Sequence, residues 1–179
     1  MNPIIKKNGM TFGIIMAIIS ILITTYIYLF DLKLFTNWMV GVAGMVISII
    51  IGIAVVAITK RDMNNAITFK DAFTAYFFTA VVSIVLVLLF NILLFNFIAP
   101  EIKEDIKVLQ IEFMVETLNR FNAPKEEIAK QVENLQKVSP FEVFELVKGS
   151  VWSFIGHAMF GALLALIFRN RSEITFQKE

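Results

Sequence analysis

The chain has 179 residues, 58% of them hydrophobic and 17% charged, with a formal net charge of +1 and no cysteine. Soluble domains are nearer ~45–50% apolar and ~25% charged, so this chain carries too little polar surface to cover a water-soluble globule of its length. A near-neutral charge without a basic, aromatic-interleaved patch excludes nucleic acid as a partner, and the lack of cysteine excludes disulfides, thiolate catalysis and thiolate metal sites.

Asn2-Pro3 is a helix-start signal, with proline at the first helical position. Residues 9–30 carry no charge. That run is too long for the ~7–15-residue core of a signal peptide, so it predicts an uncleaved first span. Gly9 and Gly13 place small residues on one ridge of it. The short turn 31–37 leads to a second span over about residues 38–59. Its ridge is Gly44, Ser48 and Gly52, each four residues from the next. Tyr26, Tyr28, Trp38 and Trp152 fall near one expected membrane interface, as an aromatic belt would.

Lys60 to Asp71 is a polar hinge with a turn signal at Asn64-Asn65 and a capping-box pattern from Thr68 to Asp71. The third span, about residues 72–99, would be about 40 Å long as a helix and should tilt or project beyond the hydrocarbon. Asn91 and Asn96 lie toward its far end. Residues 101–139 are rich in Glu and Lys, with apolar residues at helical spacing (Ile102, Ile106, Leu109, Phe113, then Ile128, Val132, Leu135) and a break at Asn122-Ala123-Pro124. They predict an amphipathic helical hairpin. Ser139-Pro140-Phe141-Glu142 has the form of a capping box with proline at the first helical position, which would start the fourth helix there. The charge-free stretch 149–168 is its membrane part. It carries the ridge Gly149, Ser153, His157, Gly161 and Ala165, a surface against which another helix can pack closely.

The expected fold is therefore all-α: a single integral membrane domain, a four-helix transmembrane bundle with a soluble amphipathic helical hairpin inserted between spans three and four. Lys6, Lys7, Lys60, Arg61, Lys70, Arg169 and Arg171 gather on one side, against Lys33 in the other short loop. The positive-inside rule then puts both termini in the cytoplasm and the insert outside.

His157 is the only histidine, and an ionisable side chain at membrane depth is a functional candidate. Its ordinary use is a hydrogen bond to a carbonyl or hydroxyl across a helix interface; its functional use is proton transfer. No Asp, Glu, Lys or Arg sits at mid-depth to serve as a relay partner. Ser153, Asn91 and Asn96 complete the candidate intramembrane polar site. Gly9, Gly13, Gly44, Ser48, Gly52, Gly149 and Gly161 are assigned to helix packing. No catalytic set, metal-ligand spacing or cofactor motif is present; Glu142 and Glu145 share a helix face but read as solvated.

The basic turn Lys60-Arg61, the segment Ile67 to Phe73 (ITFKDAF), the polar helical insert and the Ser139-Pro140-Phe141 re-entry together resemble small four-span membrane proteins of Bacteroidota, catalogued as domain of unknown function family 4199. The resemblance implies a location in the bacterial inner (plasma) membrane and assigns no activity, cofactor or site residue. Two readings follow. One is a non-enzymatic scaffold or accessory subunit, surrounded by the lipid bilayer and binding a membrane-protein partner or a second copy of itself through the outward insert. The other is a small-solute or proton-linked transporter or channel subunit using His157.

Overall fold

The computed structural model describes residues 1–139 and 141–170. Pro140 and Arg171, used above for the helix start and the charge asymmetry, lie outside the described residues. Those described form helices and turns only, in the order α1 (Pro3–Phe30), a 3₁₀ turn (Leu32–Thr36), α2 (Trp38–Asp62), α3 (Phe69–Leu93) continued by a π-helical turn (Leu94–Ile98), α4 (Ile102–Arg120), α5 (Lys125–Gln136) and α6 (Val143–Phe168). Four of them, α1, α2, α3 with its π turn, and α6, are long and apolar enough to cross a membrane. The chain is a multi-pass membrane protein.

Local chemistry sets most helix ends. Asn2 Oδ1 accepts the Ile4 amide at 2.9 Å ahead of Pro3. Asn37 Oδ1 accepts the Met39 amide at 2.9 Å to start α2. Thr68 Oγ1 accepts the Asp71 amide at 3.1 Å and donates to the Asp71 carboxylate at 2.7 Å, so the acid closes the box through the hydroxyl instead of the backbone. Asn64 and Asn65 take φ of 56° and 59°, and Asn122, between α4 and α5, takes 54°; this left-handed region is one that asparagine tolerates better than most residues. The expected cap at Ser139 is not used. Helix α6 begins at Val143, with Glu142 as an N-cap residue whose side chain makes no capping bond. Phe141 explains the displacement: its ring packs on Phe95 at 4.1 Å between centroids and on Phe35 at 5.7 Å. That cluster sets where the chain enters α6.

Helix α3 is central and packs against α1, α2 and α6. Two cores lie at opposite ends. At one end, Val55, Val56, Ile67, Ala72, Tyr76, Leu164 and Ala165 are buried together. Polar tethers reinforce this end. Asn8 Nδ2 donates to Asp62 Oδ2 at 3.0 Å and to Thr59 Oγ1 at 3.3 Å, joining α1 to α2. Lys60 Nζ donates to the Phe168 carbonyl at 3.0 Å, satisfying an acceptor that the end of α6 would leave open. Asn170 exchanges bonds with the Ile67 backbone in both directions at 3.0 Å and donates to the Asn65 carbonyl at 2.9 Å. At the other end, Leu94, Phe95, Ala99, Ile102 and Ile106 form a second core with Tyr28, Leu32, Phe35 and Phe141. The excess length of the third apolar helix projects into this cap. Tyr28 is therefore part of the cap, while Tyr26, Trp38 and Trp152 remain exposed.

Between the two cores α1 and α3 stay packed, with Ala17, Thr79 and Ala80 buried, but α2 and α6 leave stretches uncovered. Residues 41–46 of α2 are all exposed, as are Gly149, Val151, Trp152, Ser153, Ile155 and Gly156 of α6. Helices α2 and α6 approach each other near the tethered end, where a Cβ on Gly52 would meet Leu164, and part toward the cap, where Gly44, Gly149 and Gly156 have open space around them. That opening creates the site.

Candidate functional site

Tyr76 on α3 is the residue on which the site is built. It is 1% exposed. Its ring lies between two glycines on different helices. A Cβ on Gly52 of α2 would come within 2.7 Å of Tyr76 Cε2, and one on Gly161 of α6 within 2.8 Å of Tyr76 Cδ1. The ring edge also meets Phe160 at 5.3 Å between centroids. With its ring so clamped, the Tyr76 hydroxyl reaches His157 Nδ1 at 2.6 Å. The hydroxyl or the ring nitrogen donates, according to the imidazole tautomer. Among the described residues only Nδ1 of this imidazole is bonded to protein.

His157 is half-buried and forms part of the wall of two chambers. The first, of about 430 Å³, is lined by Ser20 of α1, Ser83 and Asn91 of α3, and Glu145, Ser150, Ser153 and His157 of α6, among apolar neighbours. From Glu145 to His157 it follows α6 for about 18 Å. The second, of about 580 Å³, is lined by Ser20, Gly44, Ser48, Tyr76, Ser153, Gly156 and His157 with Met16, Met45, Ile49 and Phe160. Met16, Ser20, Ser153 and His157 border both.

The hydrogen-bonding state of these groups follows from their helices. Ser150 donates to the Val147 carbonyl at 2.6 Å and Ser153 to the Gly149 carbonyl at 3.1 Å. Their hydrogens are thereby used, which leaves their oxygens as acceptors. Asn91 Oδ1 is buried without a partner among the described residues. Such a group costs about 1–3 kcal/mol unless a ligand or a rearranged amide satisfies it. Glu145 is paired with Lys148 at 3.1 Å. No three His, Asp or Glu side chains come together among the described residues, so the chemistry on offer is hydrogen bonding by uncharged groups, with one carboxylate at the end of the first chamber.

The residues singled out from sequence separate into distinct places. His157, Ser153 and Asn91 do meet around one chamber. Asn96 does not join them: its amide donates to the Phe141 carbonyl at 3.1 Å and the Ile92 carbonyl at 3.3 Å, and its carbonyl accepts from Lys103 Nζ at 3.3 Å. It fastens the cap. Gly9 and Gly13 lie against Phe78 and Val82 of α3, and Gly52 and Gly161 against Tyr76. Gly44 and Gly149, expected at packed interfaces, have nothing within 4 Å of where a Cβ would stand. Each instead lines a chamber, as Ser48 does, because α2 and α6 part from each other toward the cap.

Tyr76, Ser83 and Gly156 were missed. A signal existed: Tyr76, Ser83 and Asn91 are polar interruptions of one apolar helix, spaced seven and eight residues apart, which keeps them on one side of it. Comparison with curated proteins and with solved structures gives no match. The family described as Protein of unknown function (DUF4199) matches residues 11–170, and over that span, which includes both chambers, the chain belongs to it.

Proposed function

We propose that this protein is a non-enzymatic membrane protein of the transporter or channel-subunit class, which receives a small hydrogen-bonding molecule in the intramembrane cleft around His157. The polar cleft is the observation that carries the reading. A bundle built only to pack would be expected to close over His157, since uncharged polar groups at membrane depth are costly when unpaired. The Ser150 and Ser153 hydroxyls are bonded within their own helix and His157 is engaged by Tyr76, which favours binding over nucleophilic attack. The same reading places the tethered end, with Lys6, Lys7, Lys60, Arg61, Lys70 and Arg169, in the cytoplasm of a bacterium with its plasma membrane around the bundle, and the cap outside.

The chain contains no cysteine, so single cysteines can be introduced directly. In intact cells, a membrane-impermeant methanethiosulfonate should modify Ser150→Cys and Ser83→Cys at least tenfold faster than Leu163→Cys, which faces lipid. It should modify Glu127→Cys on α5 and spare Arg61→Cys. Cleft cysteines no faster than Leu163→Cys would overturn the reading of the cleft; the reverse pattern at Glu127 and Arg61 would overturn the orientation.

A second reading is supported by Phe121, 80% exposed at the turn between α4 and α5. It is that of a scaffold or accessory subunit gripping a partner membrane protein, or a second copy, with this tip. Phe121→Ser should then remove crosslinked partner bands from native membranes without lowering the unfolding temperature. Persistence of every band would dismiss it.

A further inference from the structure

Helices α2 and α6 run the same way, from the cap to the tethered end. They meet where a Cβ on Gly52 would stand 3.1 Å from Leu164 Cδ1. Toward the cap they part. Gly44 lies eight residues before Gly52 on α2, and Gly156 five residues before Gly161 on α6, about 12 and 7.5 Å along their helices. A Cβ at either would have no atom within 4 Å. Both glycines line the second chamber, so the gap between the two helices is the mouth of that chamber.

The rim and the interior differ in chemistry. Met45 lines the chamber, and Trp152, Ile155 and Met159 lie within one helical turn of Gly156 on α6; all four are apolar and 58%, 69%, 47% and 68% exposed. Inside are the Ser48 and Ser153 hydroxyls and the Tyr76–His157 pair, and among the described residues no Asp, Glu, Lys or Arg lines the chamber. His157 is near the middle of α6, at the depth where an unbalanced charge is most costly. An anionic or cationic head would find no counter-charge there. A neutral head that gives and takes hydrogen bonds would satisfy these groups, and its chain would remain among the apolar residues of the rim. The volume of about 580 Å³ is within the ~300–1,000 Å³ range of small-molecule sites.

We propose that the second chamber binds a neutral amphipath that enters sideways from the bilayer between α2 and α6, its hydroxyl or carbonyl head on Ser48, Ser153 and His157 and its tail left in lipid. The proposal rests on the cleft being a binding site and adds the class of ligand and its route. Ser153 and His157 also border the first chamber, so a head held there has a polar path toward Glu145 without withdrawing its tail from the membrane.

The test uses the full-length protein in phosphatidylcholine liposomes, with a monoacylglycerol carrying a diazirine in its acyl chain. Matched probes bear a carboxylate or a quaternary ammonium head. The neutral probe should label the segments around Met45 and residues 153–160 saturably, and unlabelled monoacylglycerol should compete. Gly156→Leu, which fills the chamber, should reduce that labelling at least tenfold. Gly41→Leu, at a similarly open position on α2 outside this chamber, should leave it unchanged. Equal labelling by the charged probes, even non-saturable labelling of every lipid-facing helix, or indifference to Gly156→Leu would overturn the proposal. Because thiol modification at Ser83→Cys and Ser150→Cys reports only on the first chamber, reactive cysteines with no saturable lipid labelling would reject the amphipath and leave the solute-binding cleft standing.

Discussion

Gly13→Ala should destabilise the detergent-solubilised protein by about 1–3 kcal/mol, the usual cost of overpacking a close interface. The added Cβ would stand 2.7 Å from Val82 Cβ, 2.8 Å from the Thr79 carbonyl oxygen and 2.9 Å from Val82 Cγ1. One of these is backbone and the others belong to a stiff β-branched side chain, so relief requires α1 to move off α3. Gly9→Ala should cost less, because its nearest neighbour, Phe78 Cδ1 at 2.7 Å, is the edge of a ring that can turn. Gly44→Ala, with open space around it, should fall within about 0.5 kcal/mol of the parent. Equilibrium unfolding in mixed micelles would rank the three. Equal losses at Gly13 and Gly44 would show that the divergence of α2 from the bundle does not exist in the folded protein.

The second large effect is expected at Tyr76. Tyr76→Ala removes a buried ring from between two helices and should cost about 3–5 kcal/mol, as large aromatic deletions do. Tyr76→Phe keeps the ring and loses the hydroxyl with its bond to His157, so it should cost about 1 kcal/mol. The sharper measurement is local. With one histidine in the chain, the ¹⁵N spectrum of a histidine-labelled sample reports one imidazole. Tyr76→Phe should move its Nδ1 resonance, and so should Gly161→Ala, which would bring a Cβ to 2.8 Å from Tyr76 Cδ1 and push the hydroxyl off its partner. If Gly161→Ala shifts the unfolding curve but leaves the imidazole resonances in place, the glycine clamp does not position the hydroxyl.

These effects also explain why the site was only partly legible beforehand. His157, Ser153 and Asn91 stood out because a polar residue in an apolar run is visible without any knowledge of neighbours. Tyr76 did not, since an aromatic residue among many Phe reads as bulk until its hydroxyl is seen against Nδ1. Asn96 looked equivalent to Asn91, five residues earlier. It belongs to the cap because the π turn (Leu94–Ile98) and the arrival of Phe141 give its amide a backbone carbonyl to hold.

The number of apolar helices, the turns at Asn64-Asn65 and Asn122, and the caps at Asn2 and Thr68 were set by the sequence alone. They depend on hydropathy summed along a segment and on side chains within three residues of the backbone they bond. Which small residues are interfaces and which are openings was decided only in three dimensions. Gly44 and Gly52 share one ridge of α2, yet one borders an empty gap and the other touches Tyr76. The difference is the angle at which α2 and α6 part from the clamped ring, and no periodicity within a single helix encodes the course of its neighbour.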